Sequence, residues 1–310
     1  MASHDDQLLR RPIIVVGSGR SGMNFLGRAI ARHPDLVAAT EPRLMWKHGN
    51  DGLSDALQPR HARPEVIARI RAQVAAFVRS NGKRRYVDVT PGNSLRLAFV
   101  DRVFPDAVYV HFIRDGVDNV LSMRRFYGVV ARTLRPNRPQ LRDSYLARRT
   151  RELSLRQVPG MALEAFRHVV SAWLFAAVGP PVKGVRLPGM TAMRQEIDLL
   201  DLCFLQWRSS VESAAHFGRS LPPGRYREYR IESFDEAQMR QIYAFCGLDR
   251  PEPALEYMRR EFDRRRIGPA LDDGFPSELD RLRLLVAPTM AWLADAVGTA
   301  PPRTPGETPS

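Results

Sequence analysis

The sequence is poor in cysteine and has no long apolar run. Its 310 residues include two cysteines, Cys203 and Cys246, which lie in helical patterns and do not show the spacing of a metal site. No stretch approaches the roughly 20 apolar residues of a membrane span, and the first residues contain no apolar signal-peptide core. We therefore expect buried free thiols and a cytoplasmic protein, with peripheral membrane contact left open.

Acidic residues are fewer than basic ones. The chain has 34 Asp and Glu against 47 Lys and Arg, which gives a net charge of +13. This excess admits nucleic acid, an anionic membrane surface or an anionic small ligand as partner. The sequence has no lysine-rich tail and no repeat of aromatic and basic residues, which argues against nucleic acid. Ten of the arginines lie between Arg124 and Arg156, where they indicate either a lid or a solvated basic surface.

A buried strand followed by a glycine-rich turn stands near the start of the chain. Residues 12–16 read Pro-Ile-Ile-Val-Val, and Gly17, Gly19 and Gly22 then let the backbone turn sharply. Apolar residues recur at helical spacing after the turn. Because the first amides of a helix favour an anion, the pattern predicts a phosphate-binding loop.

The loop differs from that of a nucleotide triphosphatase. Its glycines have P-loop spacing, but Met23 and Asn24 occupy the positions of the phosphate-binding lysine and the magnesium-binding hydroxyl. Arg20 supplies a cation inside the loop instead. Taken alone, the pattern is equally typical of a plain glycine turn in an α/β protein.

Strands and helices alternate along the chain, which favours an α/β fold with three layers, helices on both faces of a central parallel sheet. The predicted strands are residues 12–16, 35–39, 86–89, 107–113 and 226–231. We expect one domain over residues 12–298, preceded by a polar lead at 1–11. Residues 124–190 are predicted as an inserted lid, and 299–310 as a disordered tail.

A second strand, turn and helix carries another candidate phosphate ligand. Arg114 closes the predicted central strand, and Ser122 lies about two helical turns into the helix that follows. Both side chains can face the crevice of the first loop, and a guanidinium grips a phosphate with two parallel hydrogen bonds. The alternative is an ordinary Arg-Asp pair at a helix start, with Ser122 merely tolerated in the helix.

These two motifs, in this order, resemble the sulfotransferases that use 3′-phosphoadenosine 5′-phosphosulfate (PAPS). Residues 19–24 are similar to the family's loop for the 5′-phosphosulfate, with Arg20 at the cationic position. Arg114 and Ser122 match the Arg and the Ser, eight residues later, that grip the 3′-phosphate. Weaker similarity extends over residues 86–93, 104–107, 185–189, 229–234 and 245–248.

The resemblance implies a donor site for PAPS. Its members would be Gly19, Arg20, Ser21, Gly22, Met23, Asn24, Arg114, Ser122 and Tyr229. Met23 departs from the family's threonine, so its contact passes to neighbouring groups. Ile231 replaces the family's tyrosine, and Tyr229 is expected to substitute because residues two apart on a strand share a face.

The resemblance also implies a catalytic pair and no metal. Arg20 would stabilise charge on the departing 5′-phosphate. Glu41, held at a strand end, is the predicted base that takes the acceptor's proton. The alternative is that Glu41 forms a salt bridge with Arg43. His48 and Asp88 are the reserve bases.

The predicted activity is transfer of a sulfuryl group from PAPS to a hydroxyl or amine of a carbohydrate, glycolipid or small molecule. A P-loop kinase is the first alternative, although Met23 and Asn24 argue against it. A non-catalytic binder of anionic ligands or nucleic acid is the second, supported by the positive charge. The sequence leaves the acceptor open.

Overall fold

The computed structural model describes residues 7–133, 184–190, 196–268 and 276–295. The chain divides into two compact units, one formed by Met1–Ser122 with Gly184–Ser310 and the other by Met123–Lys183. Residues 134–183 of the predicted insertion and the predicted tail at 299–310 lie outside the described residues. The single-domain assignment therefore stays a prediction.

The first unit is built from five strands and the helices between them. The strands are β1 Ile13–Val16, β2 Leu36–Thr40, β3 Arg85–Val89, β4 Val108–Ile113 and β5 Tyr226–Arg230. The helices are α1 Met23–Ile30, α2 Arg43–Lys47, α3 Pro64–Ser80, α4 Leu97–Val103, α5 Gly116–Thr133, α6 Leu199–Arg219, α7 Glu236–Cys246, α8 Glu252–Glu261 and α9 Pro276–Asp295. Helix α5 begins in the first unit and ends in the second. Short 3-10 turns cover Pro59–His61, Pro91–Leu95 and Arg264–Arg266.

The five strands form one parallel sheet in the order β2-β3-β1-β4-β5. The predicted α/β fold is confirmed. Strand β1 is central and fully buried, as its run of β-branched residues requires. The crossover after β1 leads to the β2 side, whereas β4 is followed by elements on the β5 side. The switch of direction opens a crevice between β1 and β4 at their carboxyl ends, where open α/β sheets bind ligands.

Alternate residues of the strands face two separate cores. Ile13 and Val15 of β1 pack in a cluster with residues of α1, α7 and α8. Ile14 and Val16 pack in a second cluster with residues of α3 and α4. Since successive strand residues point to opposite faces, helices cover both faces of the sheet, which confirms the predicted three layers.

The segment before β1 is not wholly polar, and both cysteines are buried. Leu8 and Leu9, in the lead that was predicted to be polar, are buried in the second cluster. Cys203 and Cys246 are free and buried, as expected. Among the described helices, none combines the length and apolar character that crossing a bilayer requires.

Candidate active site

The glycine-rich loop connects β1 directly to α1. A Cβ on Gly17 would lie 2.4 Å from the carbonyl oxygen of Phe112, so a larger residue cannot pass this close to β4. Gly22 caps α1 with φ 92°, and in the part of the chain that the structure describes no side chain hydrogen-bonds to cap the helix there. The first turn of α1 also contains no acidic residue. Helix amides without a capping side chain or a nearby negative charge suit an anion.

Arg20 lies in the loop with a left-handed backbone, φ 71°, and its side chain is exposed. A residue with a Cβ adopts this conformation at a cost of about 1–2 kcal/mol. The loop therefore holds its cation in a backbone state that the sequence alone would assign to glycine.

The base of the loop is fixed by a serine from the turn after β3. Ser94 Oγ accepts a hydrogen bond of 2.8 Å from the Gly17 amide and donates one of 2.9 Å to the Gly17 carbonyl oxygen. Ser94 does not cap α4, because that helix begins at Leu97 and Ser94 lies in the preceding 3-10 turn. Its hydroxyl is used instead to anchor the loop.

The second motif lies against the loop. Arg114 follows β4 and is 9% exposed, and its Nη1 donates to the Arg20 carbonyl oxygen at 3.3 Å. Its Nη2 is 3.9 Å from Asp118 Oδ2, one helical turn further along α5. Ser122 follows one turn later and is half-buried. The structure thus brings together Arg20 and Arg114, which are 94 residues apart in the sequence.

Asp118 was not selected from the sequence, although its position four residues after Arg114 is typical of a helical ion pair. Burial raises the pKa of the Asp118 carboxyl, and the Arg114 charge opposes this rise. The Gly268 amide also hydrogen-bonds to this carboxylate. The segment that follows α8, with three consecutive arginines before Gly268, therefore reaches the second motif.

Glu41 lies at the same edge of the sheet, beyond the end of β2. It too has a left-handed backbone, φ 52°, and its amide donates to the Val89 carbonyl oxygen. Two strand spacings, about 10 Å, separate β2 from β1. Arg43 Nη2 lies 3.0 Å from Glu41 Oε2, so the salt bridge weighed as the alternative is present. The catalytic role of Glu41 stays a prediction.

A loop over residues 184–190, which contains one of the ranges of weaker family similarity, lies beside this pair. Asp55 and Arg186 exchange two bonds of 2.7 Å, from the Asp55 amide to the Arg186 carbonyl oxygen and from the Arg186 amide to Asp55 Oδ2. Arg43 Nη1 donates to the Gly184 carbonyl oxygen at 3.4 Å. Residues 184–190 therefore border the Glu41 side of the site.

The two reserve bases have different environments. His48 is exposed at the end of α2. Asp88 has no exposed surface and accepts three hydrogen bonds of 2.8 Å, from Trp46 Nε1, Tyr86 OH and Asn93 Nδ2. Burial raises the pKa of its carboxyl. Asp88 thus links α2, β3 and the turn after β3 in the interior.

Tyr229 of β5 is paired in register with Phe112 of β4 and is 5% exposed. It packs in the first cluster, and burial raises the pKa of its hydroxyl. Ile231, two residues further on the same face, reaches the loop, because a Cβ on Gly22 would lie 2.6 Å from its Cδ1. The expected place of Tyr229 in the donor site stays a prediction.

Within the described ranges, no group of three or more His, Cys, Asp or Glu side chains is placed to hold a metal ion.

Part of the chain matches a known protein family. Residues 12–159 match the model of the sulfotransferase family, a range that includes the loop, Glu41 and the second motif but not Tyr229. The nodulation protein NoeE of Sinorhizobium fredii is 26% identical over 131 residues, which are 37% of this chain and 31% of that protein. The chain thus matches about a third of the length of this curated relative.

Two solved structures align with most of this chain at low sequence identity. The sulfotransferase domain of the Synechococcus PCC 7002 olefin synthase has a TM-score of 0.49 and 16% identity, covering 94% of this chain and 97% of that one. A sulfotransferase from Alicyclobacillus acidocaldarius has a TM-score of 0.47 and 16% identity, with the same coverage of 94% and 97%. The sequence match over residues 12–159 confirms the resemblance of this chain to the sulfotransferase family.

Proposed function

We propose that this chain transfers a sulfuryl group from PAPS to a hydroxyl or amine of a carbohydrate, glycolipid or small molecule. One observation carries the proposal: Arg114 Nη1 lies 3.3 Å from the Arg20 carbonyl oxygen, at the switch point between β1 and β4. A helix N-terminus and a guanidinium in one crevice suit a ligand with two phosphate groups.

The polar groups around the loop fit such a ligand. Among the described residues, Ser21 Oγ is a buried side-chain atom without a hydrogen-bond partner. Ser21 is 1% exposed and lies in the loop itself. Leaving a buried polar atom unpaired costs about 1–3 kcal/mol, so an anion that accepts its hydrogen bond would find a prepared donor.

The residues of the chain can divide the chemistry as follows. Arg20 and the first amides of α1 hold the 5′-phosphate and stabilise the negative charge that it gains as its bond to sulfur breaks. Arg114 and Ser122 hold the 3′-phosphate and so align the nucleotide. Glu41 accepts the proton that the acceptor hydroxyl or amine loses as its bond to sulfur forms. Arg43, 3.0 Å away, orients the Glu41 carboxylate.

A nucleotide-binding experiment tests this proposal. Adenosine 3′,5′-bisphosphate, the product nucleotide, should raise the melting temperature without magnesium, because the site uses cationic side chains and amides. At a ligand concentration 100 times Kd the gain is about 2.7 kcal/mol. Stabilisation by ATP only with magnesium would favour the kinase alternative. Stabilisation by a single-stranded oligonucleotide, with none by the bisphosphate, would favour a nucleic-acid binder.

The variant Arg114→Ala addresses the 3′-phosphate directly. Loss of a charged hydrogen-bond donor should weaken binding of the bisphosphate about 10- to 100-fold, as measured by titration calorimetry. Arg208→Ala is the matched control, because Arg208 is exposed on α6 and pairs with Glu212. Unchanged affinity in the Arg114 variant would contradict the assignment.

A further inference from the structure

Asn119 is a buried asparagine of α5 that the site as described does not yet use. It lies five residues after Arg114 and has no exposed surface. Its Oδ1 accepts a hydrogen bond of 3.2 Å from Ser18 Oγ, in the loop after β1. Ser18 is 1% exposed, so both ends of this bond are shielded from water. The two residues are 101 positions apart in the sequence, and the bond joins the loop to the helix of the second motif.

We propose that Asn119 is a positioning residue that holds the phosphate-binding loop in register with the second motif. The inference rests on the proposed function, since it assigns the loop to the 5′-phosphate and Arg114 to the 3′-phosphate. Asn119 acts through Ser18 and fixes where the loop amides meet the 5′ end of the nucleotide.

The need for such a residue follows from the other contact between the two motifs. Arg114 Nη1 also joins them, through the Arg20 carbonyl oxygen at 3.3 Å. A bound 3′-phosphate competes for this guanidinium, because an anion is a stronger acceptor than a neutral carbonyl. The bond between Asn119 and Ser18 uses no group that grips the 3′-phosphate, so it persists while Arg114 turns to the ligand.

Burial makes the Asn119–Ser18 bond hard to replace. Water does not reach either partner, because the two residues are 0% and 1% exposed. Without Asn119, the Ser18 hydroxyl still has the Gly19 carbonyl oxygen 3.4 Å away in the same loop, but the Asn119–Ser18 bond to α5 is lost. Ser94 fixes Gly17 at the start of the loop from the β3 side, and Asn119 fixes the next residue from the α5 side. The loop is thereby held between two elements before any ligand binds, which is the preorganisation that catalysis by positioning requires.

The test compares two nucleotides in the variants Asn119→Ala and Ser18→Ala. Each variant should bind adenosine 3′,5′-bisphosphate about tenfold more weakly in titration calorimetry, which is the effect of losing one buried hydrogen bond. Adenosine 3′-phosphate, which lacks the 5′ group, should bind both variants within twofold of the wild type. The double variant should bind the bisphosphate no more weakly than the weaker single variant, because the two residues act as one unit.

Asn50→Ala is the matched control. Asn50 is 5% exposed and its Nδ2 donates to the carbonyl oxygens of His48 and His61, away from the loop. It should leave both affinities unchanged. If Asn119→Ala does not fold, Ser18→Ala removes the same bond from the loop side.

The possible results separate the inference from the proposed function. The role of Asn119 would be overturned if the variants bound both nucleotides equally more weakly, or if they bound the bisphosphate as tightly as the wild type. It would also be overturned if the losses of binding free energy were additive in the double variant. A wild-type protein that does not bind the bisphosphate at all would overturn the proposed function itself.

Discussion

Two residues of the candidate site have backbones that favour glycine. Arg20 and Glu41 have φ values of 71° and 52°, and they are two of four non-glycine residues with positive φ in the described ranges. Strain of this kind persists where the surroundings impose it and is concentrated at functional sites. The folded protein therefore loses some stability to backbone strain at the two positions where the proposed chemistry needs a side chain.

Replacing Arg20 in two ways separates its backbone from its charge. Arg20→Gly and Arg20→Ala both remove the guanidinium and should both abolish transfer. The glycine variant should be more stable than the alanine variant by about 1 kcal/mol, since only glycine adopts positive φ freely. This corresponds to about 2 °C in melting temperature for a chain of this size. Equal melting temperatures would show that the loop relaxes around alanine.

The proposed base is tested by Glu41→Gln, which keeps the shape of the side chain and removes the proton acceptor. We expect unchanged affinity for adenosine 3′,5′-bisphosphate, because Glu41 lies about two strand spacings from the loop. Turnover should fall by roughly 10²- to 10⁴-fold. The assay is mass-spectrometric detection of a sulfated product, with an acceptor from a panel that the wild type sulfates.

Near-normal turnover in this variant would indicate that another group takes the acceptor's proton. His48 is then the first choice, because it is exposed, whereas Asp88 is fully buried and engaged by three donors.

At the scale of elements, α1 packs so closely on β3 that a glycine is required between them. A Cβ on Gly27 would lie 2.2 Å from Val89 Cγ2. Helix α1 presents its first amides to the candidate phosphate site, so this contact sets the height of those amides above the sheet. Helix–sheet packing and anion binding are thus coupled.

Gly27→Ala should therefore destabilise the protein by about 1–3 kcal/mol, the usual effect of overpacking a core. It should also weaken binding of adenosine 3′,5′-bisphosphate, because α1 must move away from β3. In the Val89→Ala background, where the clashing methyl groups are absent, the additional loss of stability should be much smaller. Chemical denaturation of the four proteins measures this coupling.

Gly52→Ala is the control for this series, because a Cβ there meets nothing within 4 Å. Equal effects of Gly27→Ala in the two backgrounds would contradict the packing account.

At the scale of the whole molecule, a partly buried chain of hydrogen bonds joins the sheet to the α6 and α9 helices. His111 Nδ1 lies 2.5 Å from Tyr226 OH, which donates to Glu228 Oε1 at 2.8 Å. Arg219 of α6 makes two bonds to Glu228 and a third to the Leu293 carbonyl oxygen of α9. Burial is the main cause that lowers the pKa of His111 to about 4.

This pKa predicts how stability changes with pH. The unfolded chain protonates His111 near its ordinary pKa of about 6.5, whereas the folded protein resists protonation down to about 4. The free energy of unfolding that neutral, buried His111 contributes is therefore complete above pH 6.5, and it is lost as the pH falls toward 4. Between pH 7 and 4.5 it amounts to about 2–3 kcal/mol.

His111→Gln removes this titration and keeps a polar group beside Tyr226. The free energy of unfolding should then fall less between pH 7 and 4.5 than in the wild type, by the same 2–3 kcal/mol or so, while the carboxylates titrate alike in both proteins. Urea denaturation at the two pH values gives the comparison. Parallel losses in the two proteins would show that His111 is not the group responsible.

The sequence by itself determined the features that depend on neighbouring residues. The β-branched run predicted β1, the glycines predicted the loop, and Arg114 with Ser122 was recognised from spacing along one strand and helix. Alternation of strands and helices was enough for the parallel three-layer fold, because crossover connections restrict the possible topologies.

Only the tertiary structure decided which distant groups meet. The bonds from Ser94 to Gly17 and from Ser18 to Asn119 span 77 and 101 residues, and no local pattern marks either partner. The pairing of Asp55 with Arg186 joins two loop residues that are 131 positions apart, and the burial of Tyr229 depends on which strands become neighbours. Local preference opposes the left-handed backbones of Arg20 and Glu41, so the surrounding structure must impose them.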